Sequence, residues 1–290
     1  ADDLKLIVGG RLDWYDSESQ TRNGTRLGKP VNVSVTRNLT RYAGVIYDLD
    51  AQHSVYVSYT DIFKPQSEQD ASGSELKPIE GKNYEVGIKG EYFDGALNAS
   101  AAVFRIDQEN RARSMERYQC SEQVPDCSEA TGKLRSQGVE LEVNGTLLPG
   151  WELGAGYAFS QVKYVKDSDP ANDNQRFSSD TPERLFKLTT SYRFQGPLEK
   201  LRIGGNVYWQ SRMYNDVKLT DGSTYRLQQG AYAVTDLMAG YRVNDHLDLQ
   251  LNANNIFDRD YYQSISTSTQ YGGDSYGAPR NLMLTAKYSF

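Results

Sequence analysis

Apolar and polar residues alternate at period two over runs of about 10 to 15 residues, a rhythm that puts one kind of side chain on each face of a strand and excludes helix over most of the chain. Leu4, Leu6, Val8, Leu12 and Trp14 alternate with Lys5, Arg11 and Asp13. Val139, Leu141 and Val143 alternate with Glu140, Glu142 and Asn144, and Leu247, Leu249, Leu251 and Ala253 with Asp248, Gln250, Asn252 and Asn254. The pattern predicts strands at 4–15, 39–49, 54–63, 82–93, 96–113, 133–146, 151–166, 183–194, 201–214, 231–243, 247–259 and 280–290, about twelve in all. In the fifth, Phe104 and Ile106 continue the apolar set of Leu97, Ala99, Ala101 and Val103 on the opposite parity, which places a β-bulge near Val103.

The connections alternate in length. Turn formers mark Asp50-Ala51-Gln52-His53, Phe93-Asp94-Gly95, Leu148-Pro149-Gly150, Gln195-Gly196-Pro197 and Asn244-Asp245-His246. Longer loops fall at 16–38, 64–81, 114–132, 167–182, 215–230 and 260–279. Strands of this length are sufficient to cross a bilayer at a tilt, for which about 9 to 11 residues are needed, and short turns on one side with long loops on the other are the habit of an outer-membrane barrel. A soluble β-sandwich or propeller fits less well, because its strands average about 5 to 6 residues. Aromatics gather at both strand ends. Tyr92, Phe93, Trp151, Tyr192, Phe194, Tyr241, Tyr288 and Phe290 lie near the short turns, and Trp14, Tyr59, Phe63, Phe159, Trp209, Phe257, Tyr261 and Tyr262 near the long loops, as two interfacial girdles would.

Composition removes other classes. Mean hydropathy is -0.67 and no apolar run reaches the length of a membrane-spanning helix. Twenty-one tyrosines (Tyr 21) argue against disorder, and a net charge of -6 without a basic run argues against nucleic acid as a partner. His 2 and Cys 2 leave little for metal or His-based chemistry. His53 and His246 both fall in short turns, away from any nucleophile's rim, which speaks against an enzyme. Cys120 and Cys127, without a further Cys or nearby His, read as an oxidised loop rather than a zinc site, and so imply an oxidising compartment. Asp167, Asp169, Asp173, Asn172 and Asn174 offer oxygen ligands for Ca²⁺ but lack the EF-hand order, so a solvated acidic loop is preferred and a cation is left open. Ala1-Asp2-Asp3 is not a signal peptide. Lumen-facing charges, among them Arg11, Asp13, Glu85, Arg105, Asp107, Arg242 and Asp248, are mixed in sign and are expected to pair.

The stretch Asn252-Ala253-Asn254-Asn255-Ile256-Phe257-Asp258-Arg259-Asp260-Tyr261-Tyr262, followed by Gly277-Ala278-Pro279-Arg280-Asn281 and a closing strand that ends in Phe290, resembles the last hairpin of TonB-dependent outer-membrane receptors. Upstream, Tyr59-Thr60-Asp61-Ile62-Phe63-Lys64-Pro65-Gln66, Leu76-Lys77-Pro78, Tyr84-Glu85-Val86-Gly87-Ile88-Lys89 and Phe104-Arg105-Ile106 follow in the family's order. The resemblance covers the chain, and within the family it is most similar to ferric siderophore receptors for hydroxamate ligands of the coprogen and pyoverdine type. It implies an all-β, antiparallel transmembrane β-barrel, with residues 1–290 as one domain corresponding to the C-terminal half of a 22-stranded barrel, the plug lying outside these residues. A self-contained twelve-stranded channel or pore is the alternative. The resemblance further implies a receptor without an intrinsic cofactor, which takes ferric iron as a siderophore chelate. Its partners would be the TonB-ExbB-ExbD complex through the plug segment, outer-membrane lipid and lipopolysaccharide, and the barrel-assembly machinery through the terminal strand. For the ligand, parity and the long-loop rim single out Tyr208, Gln210, Arg212 and Tyr214, with Arg117, Tyr118, Tyr225 and Tyr276 on adjoining loops. Tyr supplies rigid contact area with a hydroxyl, and Arg pairs with ligand oxygens. In the pyoverdine-receptor type an aromatic of the last extracellular loop touches the ligand, and Tyr271 matches it best.

Overall fold

The computed structural model describes residues 3–290 apart from 21, 24–25, 28–29, 116, 123, 168–169, 219–220 and 266–272. The strands in chain order are β1 (Leu4–Ser19), β2 (Arg22–Asn23), β3 (Arg26–Leu27), β4 (Val31–Asp48), β5 (His53–Lys64) and β6 (Ile79–Tyr92). There follow β7 (Leu97–Ser114), β8 (Ser128–Leu148), β9 (Trp151–Lys166), β10 (Arg184–Arg193), β11 (Leu201–Gln210) and β12 (Met213–Lys218). The last are β13 (Thr224–Gln229), β14 (Tyr232–Arg242), β15 (Leu247–Asn254), β16 (Tyr262–Ser264), β17 (Ser275–Tyr276) and β18 (Asn281–Tyr288). Twelve of them form one sheet in the order β1-β4-β5-β6-β7-β8-β9-β10-β11-β14-β15-β18, and β2-β3, β12-β13 and β16-β17 are separate two-stranded hairpins within the long loops. The expected twelve strands are present. Several run further into the long loops than their membrane-crossing pattern: β4 begins at Val31 and β8 at Ser128.

By contacts the chain divides into two compact units, residues 1–87, 103–138 and 161–177, and residues 88–102, 139–160 and 178–290. In the first, Leu4, Leu6 and Val8 pair across β1 and β4 with Tyr47, Val45 and Ala43, which pair in turn with Val55, Val57 and Tyr59 of β5. In the second, Phe186 and Leu188 face Trp209 and Val207, and Leu237 faces Ala253, which faces Leu282. Directly paired residues share a face, so each unit has one apolar face, and that face is uncovered. Leu6, Val8 and Leu282 are each 71% exposed. The buried apolar set is small: Val33, Ile79, Cys127 and Leu134 in the first unit, Met213, Tyr232 and Ile265 in the second. Apolar side chains are turned outward where a water-soluble sheet would be polar, the inversion a lipid-facing barrel requires.

The opposite face is polar and internally matched. In the first unit Arg11 meets Asp13 at 2.9 Å, Lys5 meets Asp48 at 2.7 Å, and Asp107 is held by Arg105 and Arg135 at 2.7 and 2.6 Å. The Tyr56 hydroxyl donates to Glu85 Oε1 at 2.5 Å, and its ring covers Gly87, where a Cβ would fall within the ring's contact distance. The pairing expected of the mixed charges is therefore present. The register of β1 on β4 shifts between Asp13 and Tyr15, opposite Arg37 with φ 58°, a bulge at the long-loop end of the strand. In β7 the left-handed residue is Asn110, with φ 63°.

The tight turns follow their residues. Asp50 Oδ1 accepts the N–H groups of Gln52 and His53, both at 2.7 Å, which holds its carboxyl below the usual carboxylate range. Phe93, Asp94 and Gly95 all take positive φ, and Asn244 Oδ1 receives the N–H groups of His246 and Leu247.

Cys120 and Cys127 are joined by a disulfide beside the 3₁₀ turn Arg117–Gln119. Replacing both by Ser is expected to destabilise that loop by about 2 to 3 kcal/mol from lost chain restraint. Hydrogen exchange should accelerate at 115–127 and stay unchanged in β5; equal protection in the variant would contradict this. On the apolar face, Leu237→Arg should cost about 2 to 4 kcal/mol in urea unfolding from lipid vesicles, while Thr285→Arg on the polar face should cost well under half of that.

Candidate functional site

The long-loop end of the second unit carries a run of tyrosines built from strand register. β10 and β11 pair Lys187 with Tyr208 and Leu185 with Gln210, and β11 and β14 pair Gln210 with Tyr232. Tyr208, Gln210 and Tyr232 therefore share the polar face, while Trp209 pairs with Phe186 and Ala233 on the apolar one. Tyr208 donates its hydroxyl to Gln210 Oε1 at 2.8 Å, and the buried Gln210 amide reaches Met213 Sδ at 3.7 Å. The Tyr232 ring lies 6.2 Å from that of Tyr208 and stacks on Tyr261 at 4.4 Å with 28° between planes. Tyr261 in turn covers Gly277, where any side chain would collide with the ring. Three aromatic faces thus step from strand to loop.

The inward row does not continue through the strand as its alternation suggests. β11 ends at Gln210, Ser211 N–H donates to Arg184 O at 2.9 Å, and Arg212 is exposed in the connection. From Met213, which is buried, the chain enters the β12-β13 hairpin, so Tyr214 belongs to a different sheet. There it serves as a platform for Arg226, whose guanidinium lies 4.4 Å above the ring and grips Asp216 through two hydrogen bonds of 2.6 and 2.7 Å. That grip holds the Asp216 carboxyl below its ordinary range and raises Arg226. Tyr225 is exposed on the same hairpin. Tyr276 stacks against Tyr262 at 4.6 Å with hydroxyls 3.1 Å apart, and Tyr262 N–H donates to the buried Gln229 Oε1 at 2.7 Å. Tyr271 lies outside the described residues. Arg117 and Tyr118 belong to the first unit, on the disulfide-bonded loop, where Tyr118 is 84% exposed.

The alternation alone did not bring out Tyr232 and Tyr261. Tyr232 was legible, since its parity on β14 is that of Asp236. Its place near the long-loop end puts Tyr261 among the girdle aromatics, and its stack on Tyr232 places it instead with the polar face. The cause is Asn255. This buried residue takes φ 48°, donates its N–H to Asp236 Oδ1 at 2.8 Å and its side-chain amide to Arg259 O and Ala278 O at 2.9 and 3.0 Å, and accepts Arg259 N–H at 2.8 Å. Both arms of the last loop are tied at their base, and the chain turns Tyr261 back over β14.

The acidic loop does not converge on a cation among its described residues. Asp167 pairs with Arg113 at 3.2 Å and accepts Asn172 Nδ2 at 3.3 Å, while Asp173 accepts the Asp167 N–H. No group of three or more His, Cys, Asp or Glu among the described residues is arranged to hold a metal. His53 lies against Asp50 and His246 Nδ1 is 3.0 Å from Ser289 O, both as turn residues. Aromatic faces, hydroxyls, amides and one clamped guanidinium are groups for binding a polar, partly aromatic ligand by contact and hydrogen bond.

The family model described as TonB dependent receptor-like, beta-barrel, matches residues 1–256. The chain is 43% identical over 294 residues to the ferric-pyoverdine BN7/BN8 receptor of Pseudomonas putida, covering 100% of this chain and 33% of that protein. Against the ferripyoverdine receptor of Pseudomonas aeruginosa it is 39% identical, covering 100% and 34%. The crystal structure of the ferripyoverdine receptor of the outer membrane of Pseudomonas aeruginosa bound to ferripyoverdine superposes with a TM-score of 0.86 at 36% identity, over 100% of this chain and 37% of that one. The chain spans about a third of the length of these relatives. The chain belongs to the β-barrel family of TonB-dependent outer-membrane receptors.

Proposed function

We propose that the chain forms part of a receptor that binds a ferric siderophore at the cell surface and imports it with energy delivered through TonB. The observation that carries this reading is the stepped aromatic surface of Tyr208, Tyr232 and Tyr261 at the long-loop end of the polar face. A siderophore chelate is a bulky ligand with exposed oxygens and apolar edges, and such rings offer area at low entropic cost. Relatives named for ferric pyoverdine support a ligand of that class. The binding set proposed for the second unit is Tyr208, Gln210, Arg212, Tyr214, Tyr225, Tyr232, Tyr261, Tyr271 and Tyr276, and Arg117 and Tyr118 are proposed separately as ligand contacts of the first unit's disulfide loop. Iron arrives as the chelate and is cargo. The TonB-ExbB-ExbD complex acts through the plug, and β18, followed by Phe290, is the strand offered to the barrel-assembly machinery. The family supports this over a passive pore.

Titration by fluorescence quenching tests it. Arg212→Ala, Tyr271→Ala and Tyr208→Ala, each made in the protein as its gene encodes it, should weaken ferripyoverdine binding by about 1 to 3 kcal/mol, since a charge-assisted contact or an aromatic anchor is lost. Trp209→Ala should lower barrel stability and leave affinity nearly intact. Unchanged affinity in the first three, or selective loss in Trp209→Ala, would refute the site. For orientation, an impermeant thiol reagent on intact cells should label cysteines at Asp173 or Ser223 and miss those at Gly95 or Asp245. The reverse pattern would move the ligand to the other rim.

A further inference from the structure

The polar face changes character along the second unit. Ser191 pairs with Gly204, Gly204 with Met238, Met238 with Asn252, and Asn252 with Met283, an unbroken row across β10, β11, β14, β15 and β18 without a charge. One register step towards the tyrosines, Thr189, Asn206 and Asp236 follow one another, and Asn254 faces Asn281. The single carboxylate there, Asp236, is committed to the Asn255 N–H. Between these rows lies a recess of about 280 Å³ lined by Thr189, Ser191, Asn206, Asp236, Gln250 and Asn252. Charge borders the strip on three sides: Glu152 of β9 pairs with Ser191, Lys187 pairs with Tyr208 beyond Thr189, and on the other side Arg193 pairs with Arg202, which donates to Gln250 Oε1 at 2.9 Å. In the first unit the polar face is instead fastened by the ion pairs of Arg11, Lys5 and Asp107.

We propose that this uncharged strip, below Tyr208 and centred on Gly204, Met238 and Asn252, is the part of the barrel wall along which the chelate moves inward, and the proposal rests on the receptor reading above. Passage requires contacts favourable enough to admit a ligand and weak enough to release it. Fixed ion pairs fail that requirement, because a polar chelate displaces one only by leaving a charge unpartnered. Amides and hydroxyls exchange partners at little cost, either with the ligand or with water. The thioethers of Met238 and Met283 adapt to a surface of changing shape. Gly204 adds room at the centre: a Cβ there would press on Thr190 O and Met238 Cε, so the wall is recessed where the ligand would pass.

The test separates uptake from binding in cells that carry the full protein, with ferripyoverdine labelled by radioactive iron as the probe. Asn252→Trp fills the recess, and Ser58→Trp, on the polar face of the first unit opposite Gly44, adds the same bulk elsewhere. Surface binding in the cold should stay within about twofold for both, and uptake should fall about tenfold in Asn252→Trp alone, since the obstruction acts only on movement. Retained uptake in Asn252→Trp overturns the strip. Equal loss in Ser58→Trp does so too, because bulk would then act by displacing whatever fills the lumen. If Asn252→Trp does not reach the membrane, Asn252→Lys should slow uptake and Asn252→Gln restore it; equal rates in these two overturn the proposal. Absence of surface binding in the unmodified protein overturns the receptor reading, and the strip with it.

Discussion

Hydrocarbon offers no hydrogen bonds, so a chain crosses it only with its backbone groups paired internally. In strands that means lateral pairing. Once twelve strands are paired in antiparallel order, register decides everything else, because side chains alternate strictly between two faces. A slip of one residue in β10 would exchange Lys187 with Phe186 and put a cation into lipid. The apolar set of Leu6, Val8, Leu237 and Leu282 is thus a statement of register as much as of hydrophobicity. Burial within the protein contributes little here, as the short set of buried apolar residues shows.

The same alternation fixes the chemistry of the inner face, and each unit solves its electrostatics differently. The first unit neutralises its charges in place, with Asp107 held by two arginines. In a confined polar space such pairing is needed, since a lone charge shielded from water is costly. The second unit carries charges too, among them Glu152, Lys187, Arg193 and Arg202, but between them it keeps a neutral stretch in which amides satisfy one another: Gln250 donates to Asn252 at 2.9 Å and Asn254 to Asn281 at 2.8 Å. One arrangement is rigid and the other exchangeable, though both obey the same requirement that polar groups be satisfied.

Most of the fold was legible because period two and turn chemistry are local. Leu247, Leu249 and Leu251 announce a face without reference to any partner, and Asn244, Gly95 and Gly150 announce turns by the backbone they permit. The disulfide was legible for a similar reason, as a pair with no rival partner. What escaped depends on non-local geometry. The alternation of Tyr208, Gln210, Arg212 and Tyr214 continues through a point where the strand stops, since nothing in the pattern distinguishes a strand from a hairpin that resumes after Ser211. Tyr261 falls among the girdle aromatics by its place near the long-loop end, whereas its position is set by Asn255, whose partners Asp236 and Ala278 are far away in sequence. The expected strands are too short for β1, β4 and β8, where the ladder persists after the apolar signal ends, and too long for β11 and β15, where the chain leaves the sheet while its pattern continues.

The loops, which carry the tyrosines, are held by polar side chains acting as pieces of backbone. Asn255 accepts and donates as a peptide group would, closing both arms of the last loop on one residue. In the first unit the buried Gln66 does the same for β7, donating to the carbonyls of Lys77 and Asn110 and accepting from Ala112 N–H at 3.2 Å, on either side of Arg111 and next to the left-handed Asn110. A carboxamide is suited to this, since it carries one acceptor and two donors in a plane. Restraint of this kind lowers the ordering cost a loop incurs when it meets a ligand, so that more of the contact energy appears as affinity. The aromatic surface is therefore a property of the strand ends and their amide ties as much as of the tyrosines themselves. A loop of the same composition without Asn255 would keep its rings and lose their arrangement.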